Sequence, residues 1–252
     1  IFMSRHDVAE VLGRPYDDIR VLGAGMNHFQ WLLGVRDVRT GEDLYPELRA
    51  REAAFDPSFR PYTRRLFHAF GLWPTCSDDH LGEYQAYGYE AGEHGYDFAW
   101  DAQDRIRMRR EIESLIADPS GLPTWMEPSG EQAIRAIVAM HLGRPTALDS
   151  AIVLNQGAIS NLPPDVAVEV PVVLDGFGIH KVQIGDMPLG IKNLLNMQVG
   201  PQQLSVEAAM RGSKELALQA LLCDPTIHSS FAAEKILDEL WEINKPYIRR
   251  CV

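Results

Sequence analysis

The stretch RVLGAGMNHFQWLLGV, residues 20–35, constrains this chain more than any other. Two apolar runs flank it, and only Asn27-His28 interrupts them. Its opening, Gly23-Ala24-Gly25, resembles the start of a dinucleotide-binding loop. Such a loop needs a third glycine, so that a helix can pack closely on the strand before it. Here that position holds His28. The next residues, Phe29-Gln30-Trp31-Leu32-Leu33-Gly34-Val35, read as a second strand and not as a helix opening. The stretch predicts strand, tight turn, strand, with a histidine at the turn.

The rest of the chain alternates between helical and extended patterns. Val8, Val11 and Leu12 share a helical face, so the sequence is read as starting inside a helix that Gly13-Arg14-Pro15 stops. Residues 19–45 read as strands joined by turns, one of them at Thr40-Gly41. Residues 57–72 predict a helix up to Gly71. A charged helix is expected over 102–117, with Ile106, Met108, Ile112, Leu115 and Ile116 near one face. PSGEQAIRAIVAMHLG predicts another, with Ser129 and Gln132 at capping-box spacing and Ile134, Ile137, Val138 and His141 on the 3.6-residue period. AIVLNQG is a strand. VAVEVPVVLDGFGIHKVQI is a hairpin, with Val166, Val168 and Val170 alternating before a turn at Asp175-Gly176. LSVEAAMRGSKELALQALLCDP gives two helical runs. SSFAAEKILDELWEINKP gives a last one, with Ala233, Ile236, Leu237, Leu240 and Trp241 on one stripe. The fold class is α+β, a mixed or antiparallel sheet with helices packed against it, and residues 1–252 are read as one domain.

Composition narrows the function. With 46% hydrophobic residues, 252 residues are ample for a packed core. A formal net charge of −11 speaks against a nucleic-acid surface. No apolar run approaches the roughly 20 residues of a membrane helix. Cys76, Cys223 and Cys251 are an odd number in a chain this size and fit a reducing, cytoplasmic setting.

Chemistry-bearing residues concentrate in two places. His28, in its turn with Asn27, suits a metal ligand, a base or a turn stabiliser. SDDHLGEY places Asp78, Asp79, His80, Glu83 and Tyr84 within seven positions. Paired carboxylates beside histidine and tyrosine suit acid–base work, and each carboxylate's charge can raise the other's pKa. His80 and Glu83 would share a face if helical. The aromatics of EYQAYGYEAGEHGYDFAW could line a sugar site or a subunit contact. Asn155, Gln156 and Asn161 lie around a strand end and suit either hydrogen bonding to a ligand or turn chemistry. Cys76 is disfavoured as a nucleophile, because neighbouring anions raise a thiol's pKa. Arg105, Arg107, Arg109 and Arg110 read as a salt-bridged helix face, from which one arginine could reach a carboxylated or phosphorylated substrate.

The order AGMNHFQW, SDDHLGEY, SGEQ, NQGAISNLPPDVAVEVPVVLDGFGIH, VEAAMRGSKELALQALLCDP resembles glycoside hydrolase family 4, in particular its α-galactosidase and α-galacturonidase branch. The resemblance runs from about residue 5 to 245. It implies the C-terminal domain of a two-domain enzyme, akin to the second domain of lactate and malate dehydrogenases, with the N-terminal Rossmann domain not in this sequence. It also implies NAD+ and a divalent metal, often Mn2+, and a reaction unlike that of the two-carboxylate glycosidases: oxidation at C3 of an α-linked sugar or uronic acid, proton abstraction at C2, elimination, water addition and reduction. By this resemblance His28 is a metal ligand. A cysteine ligand, the glycine-rich NAD loop and the general acid would precede Ile1, so the sequence is expected to be a fragment that neither binds NAD nor cleaves glycosides alone. Asp78 falls on the base that takes the C2 proton, with Asp79 its rival by a one-residue slip. Tyr84 is disfavoured, since a phenol near pKa 10 needs strong help. Asn27, His80 and Arg105 are read as substrate-binding. A homodimer or homotetramer, with no nucleic-acid or membrane partner, is expected. The competing readings are a non-catalytic oligomerising or substrate-binding module and a lactate/malate-type dehydrogenase.

Overall fold

A computed structural model describes residues 2–74, 77–88, 90, 98–122 and 132–248. The predicted strand–turn–strand is present. Strand β1 (Ile19–Met26) and strand β2 (Phe29–Asp37) form an antiparallel hairpin in which Met26 faces Phe29, leaving Asn27-His28 as a two-residue turn. Gly25 explains itself here. A Cβ on it would meet the Gln30 Cα and the Phe29 carbonyl oxygen, each at 2.5 Å. The glycine serves close approach within the hairpin and not the cradling of a phosphate.

The sheet runs β2-β1-β4-β3, with β5 also paired to β4, and these strand pairs are antiparallel. Strand β3 spans Thr146–Leu154, β4 Ala167–Asp175 and β5 Gly178–Lys181. Val168, Val170, Val172 and Leu174 alternate along β4 and are all buried, as period-2 patterning requires.

Helix α1 (Phe2–Leu12) and helix α2 (Tyr45–Glu52) close one side of the hairpin, and helix α3 (Pro61–Phe70) lies alongside. Val8, Leu12, Val21, Leu32, Val35, Leu48, Phe67 and Trp73 form one core there. The second core lies between the hairpin, α3, β4 and helix α7 (Leu189–Arg211), around Phe29, Trp31, Tyr62, Leu66, Leu81, Val168, Ile191 and Leu195. Burying a side chain of this size stabilises the fold by roughly 1.5–3 kcal/mol. Trp31 packs edge-on to Phe29 at 4.9 Å and to Phe70 at 6.2 Å.

The helical half departs from the sequence reading. Helix α5 (Phe98–Ala117) begins earlier than expected. Helix α6 (Ala133–Leu142) has Gln132 as its N-cap residue, and Ser129 of the expected capping box lies outside the described residues. The Ile134, Ile137 and Val138 stripe of α6 faces outward, with Ile134 72% exposed. Its packed face is the small one, Ala136 and Ala139, which lets the helix approach Leu148, Val172 and Leu174 closely. The run expected from Leu204 starts instead at Leu189 and passes through Pro201. A helix-interior proline normally breaks the run, but Ile191, Leu195 and Val199 are anchored in the core, and the Ser205 hydroxyl donates to the Pro201 carbonyl at 2.7 Å. Helix α8 (Lys214–Cys223) and helix α9 (Ser230–Asn244) follow, each opened by a serine whose side chain accepts from the backbone amide three residues on.

Candidate functional site

The hairpin brings His28 to the surface at its tip, with Asn27 exposed beside it. Helix α4 (Asp78–Gly82) meets it there. The His28 and His80 rings lie 4.7 Å apart, tilted by 34°. The Nδ1 of His80 is 3.3 Å from the Glu83 Oε2, the i,i+3 pairing that the sequence anticipates. A carboxylate on one ring nitrogen fixes the tautomer and aims the other nitrogen. Two adjacent imidazoles, one of them so oriented, are a donor set that suits a divalent transition metal. They supply part of a coordination shell: no group of three or more His, Cys, Asp or Glu positioned to hold an ion forms among the described residues.

Tyr84 sits behind the turn, whose Asn27–His28 peptide is cis. The Tyr84 hydroxyl donates to the Asn27 carbonyl at 2.9 Å and accepts from the His28 amide at 3.2 Å. Its ring stacks on Phe29 at 4.8 Å.

The two expected catalytic carboxylates part ways. Asp78 is buried and caps α3: its Oδ2 accepts from the Tyr62 amide at 3.1 Å, and its Oδ1 from the Thr63 amide at 2.8 Å and the Thr63 hydroxyl at 2.7 Å. This is an anion at a helix N-terminus, satisfying donors that have no partner inside the helix. It runs against the expectation that Asp78 is a free proton acceptor, because its oxygens are already occupied. Asp79 is half-buried. Burial alone would push its carboxyl up, but hydrogen bonds from the Ser77 side chain and the His80 amide, with the His80 charge, outweigh that and hold it below the usual carboxylate range. Both carboxylates line a cavity of about 250 Å³ shared with Ser58, Phe59, Arg60 and Pro61.

Behind Asp78 lies a second buried acid, Asp7 on α1. Its Oδ1 accepts from the Arg60 Nη2 at 3.2 Å, while its Oδ2 has no partner among the described residues. Burial raises its pKa to about 6, Arg60 opposing and Glu10 and Asp78 adding to the rise.

Other candidates take structural roles or stand apart. Arg105, expected to bind substrate, donates to Asp101 on its own helix at 2.7 Å, and no contact among the described residues brings it to the histidine pair. Asn155 is fully buried and organises a loop: its Nδ2 donates to the Ile159, Leu162 and Pro163 carbonyls, and its Oδ1 accepts from the Ile159 amide at 2.7 Å. Asn161 likewise exchanges two bonds with the Met187 backbone. Both are turn chemistry, the blander of the two readings. Cys76, Cys251, and Tyr89 and Tyr96 of the aromatic segment lie outside the described residues. Sequence reasoning missed Thr63, whose hydroxyl on Asp78 is signalled only by its place in the first turn of α3, and Gln198, a buried amide on α7.

The sequence profile described as "Family 4 glycosyl hydrolase C-terminal domain" matches residues 23–227. An α-galactosidase of Bacillus subtilis is 31% identical over 92% of this chain and 55% of its own length. A 6-phospho-α-glucosidase of Leptotrichia buccalis is 29% identical over 95% of this chain and 58% of its own. Among solved structures, a 6-phospho-α-glucosidase from gut microorganisms in complex with NAD and Mn2+ superposes with a TM-score of 0.76, at 26% identity, over 99% of this chain and 60% of that one. A putative glucosidase from Bacillus subtilis superposes with a TM-score of 0.79, at 27% identity, over 94% and 59%. The chain therefore spans somewhat more than half the length of these relatives.

Proposed function

Because the chain belongs to glycosyl hydrolase family 4, whose C-terminal domain it matches, we propose that it is the substrate- and metal-binding part of an NAD- and Mn2+-dependent enzyme that cleaves an α-linked sugar or uronic acid. The observation that carries this reading is the pairing of His28 with the Glu83-oriented His80 at the hairpin tip. The relative solved with NAD and Mn2+, and another solved with NAD and glucose-6-phosphate, support the cofactors. The exposed, unpaired Cys223 supports a cytoplasmic setting, and no helix among the described residues is long and apolar enough to cross a membrane.

His28 would hold the metal, and His80 would either share it or donate to a sugar hydroxyl. A divalent cation held there would supply Lewis acidity toward an oxygen of the bound sugar. NAD does not fit the residues described: the one candidate loop, Gly23 to Gly25, is the interior of a hairpin strand, and no step is assigned to NAD on this chain. Of the two carboxylates, Asp79 is the one not committed to α3, and it takes the proton-accepting role in this proposal. Asp78 positions α3 against α4. Asn27 offers its exposed side-chain amide to the sugar.

His28→Ala tests the metal assignment. Zn2+ is the probe, since imidazole donors bind it more tightly than Mn2+. Calorimetric titration should show binding lost in the variant while the circular dichroism spectrum stays that of the parent chain. Unchanged binding would remove His28 from the site. In the assembled enzyme, Asp79→Asn should cost about 10²–10⁴ in rate and suppress solvent deuterium exchange at C2, the usual weight of acid–base catalysis. An active Asp79→Asn enzyme beside a dead but stably folded Asp78→Asn would return the role to Asp78.

A further inference from the structure

We propose that Tyr84 is the positioning residue of this site, holding the turn that presents His28 and tying it to α4 and α7. The inference rests on the reading of His28 as a metal ligand.

A two-residue turn at the end of a hairpin has little to fix it. Both of its side chains are exposed, and its own strands pair only up to Met26 and Phe29. Tyr84 supplies what the hairpin lacks. One hydroxyl oxygen engages both polar atoms of the Asn27–His28 peptide, donating to the carbonyl at 2.9 Å and accepting from the amide at 3.2 Å. The ring is stacked on the fully buried Phe29, 14° from parallel. The backbone is tied down as well. The Tyr84 amide donates to the Leu81 carbonyl at 3.3 Å, binding it to the segment that carries His80 and Glu83. Its carbonyl accepts from the Gln198 Nε2 at 2.8 Å, and Gln198 is buried on α7. Thus one residue joins the hairpin tip, the second histidine and the long helix.

The phenol donates to the Asn27 carbonyl and accepts from the His28 amide, so the hydroxyl acts on the turn itself. Partners that orient a metal-binding histidine typically account for roughly 10–100-fold in metal affinity, and Tyr84 would act on His28 through its backbone.

The test uses Tyr84→Phe, which removes the hydroxyl and keeps the stacked ring, beside His28→Ala and the double variant. Two readouts are taken on each: Zn2+ affinity, and the Cε1–H resonance of His28 in the metal-free chain, assigned by its loss in His28→Ala. Tyr84→Phe should weaken Zn2+ binding by roughly 10–100-fold and shift or broaden the His28 resonance. The double variant should bind no worse than His28→Ala. If His28→Ala abolishes binding while Tyr84→Phe leaves it at the parent value, the proposal is overturned and the metal assignment stands. If His28→Ala binds Zn2+ normally, the metal assignment fails, and the His28 resonance alone decides: a shift in Tyr84→Phe supports the hold on the turn, and an unchanged resonance sinks it. Gln198→Met, which releases the far anchor without touching the hydroxyl, is the second variant should Tyr84→Phe fail to fold. It should move both readouts in the same direction by a smaller amount, and no movement in either overturns the proposal.

Discussion

The half of the molecule built around the hairpin and the half built from helices α5 to α9 treat their apolar residues in opposite ways. Around β1, β2 and α3 the large side chains are inside: Phe29, Trp31, Leu32, Tyr62 and Trp73 are all buried. Along α5, α6 and α9 many of the residues that periodicity assigns to a core are outside. Ile116 is 76% exposed, Ile134 72% and Leu240 52%. Helices α6, α8 and α9 bury mainly small residues such as Ala139, Ala220 and Ala233, while α7 alone among the five anchors Ile191 and Leu195 in the second core. The contrast separates a part that buries its large apolar side chains from a part that leaves many of them exposed.

The largest effect expected from this contrast is in the hairpin core. Trp31→Ala should destabilise the chain by about 3–5 kcal/mol, whereas Ile116→Ala should stay within about 0.5 kcal/mol. Urea unfolding of the two variants measures both. Equal losses would erase the distinction between the halves.

Next is a cost of that density. Asp7 has its pKa raised to about 6 by burial. A raised acid binds more protons folded than unfolded, so its contribution is fully present below the unfolded pKa and is lost as pH climbs through about 6. At neutral pH the ionised group therefore costs about 3 kcal/mol relative to its protonated form. Asp7→Asn, which mimics the protonated form, should unfold at higher temperature than the parent at pH 7.5 and lose that advantage below about pH 4. An advantage that persists in acid would mean that something other than this carboxyl is responsible.

Smaller still is the cap. Asp78→Asn should cost about 1–2 kcal/mol through the N-terminus of α3, and Asp79→Asn under about 0.5 kcal/mol. Thermal denaturation at pH 7.5 compares them. If Asp79→Asn is the more damaging to stability, the division of labour between the two carboxylates is reversed.

How much of this is legible in the sequence depends on the range of the interactions. The hairpin is legible because it is local: two apolar runs, two residues between them, and a histidine where a phosphate loop wants glycine. The strands β3 and β4, the β4–β5 turn and the His80–Glu83 pair are legible for the same reason. The engagement of Asp78 is not, because its partners Tyr62 and Thr63 lie 16 and 15 residues away and meet it only when α3 and α4 pack. Nor is the outward face of α6, since periodicity marks an apolar stripe but not which side the rest of the fold covers. The passage of α7 through Gly200-Pro201 is hidden because a local breaker is outweighed by distant anchors.

Gly25 and His28, three positions apart, answer to different kinds of selection. In a population of random variants retained only for folding, position 25 would stay fixed, since any side chain there collides with the facing strand. Position 28, exposed and outside the strand ladder, would drift. Retained for chemistry, both would stay fixed and look alike. The glycine answers to the shape of the hairpin, and the histidine, at its exposed tip, does not.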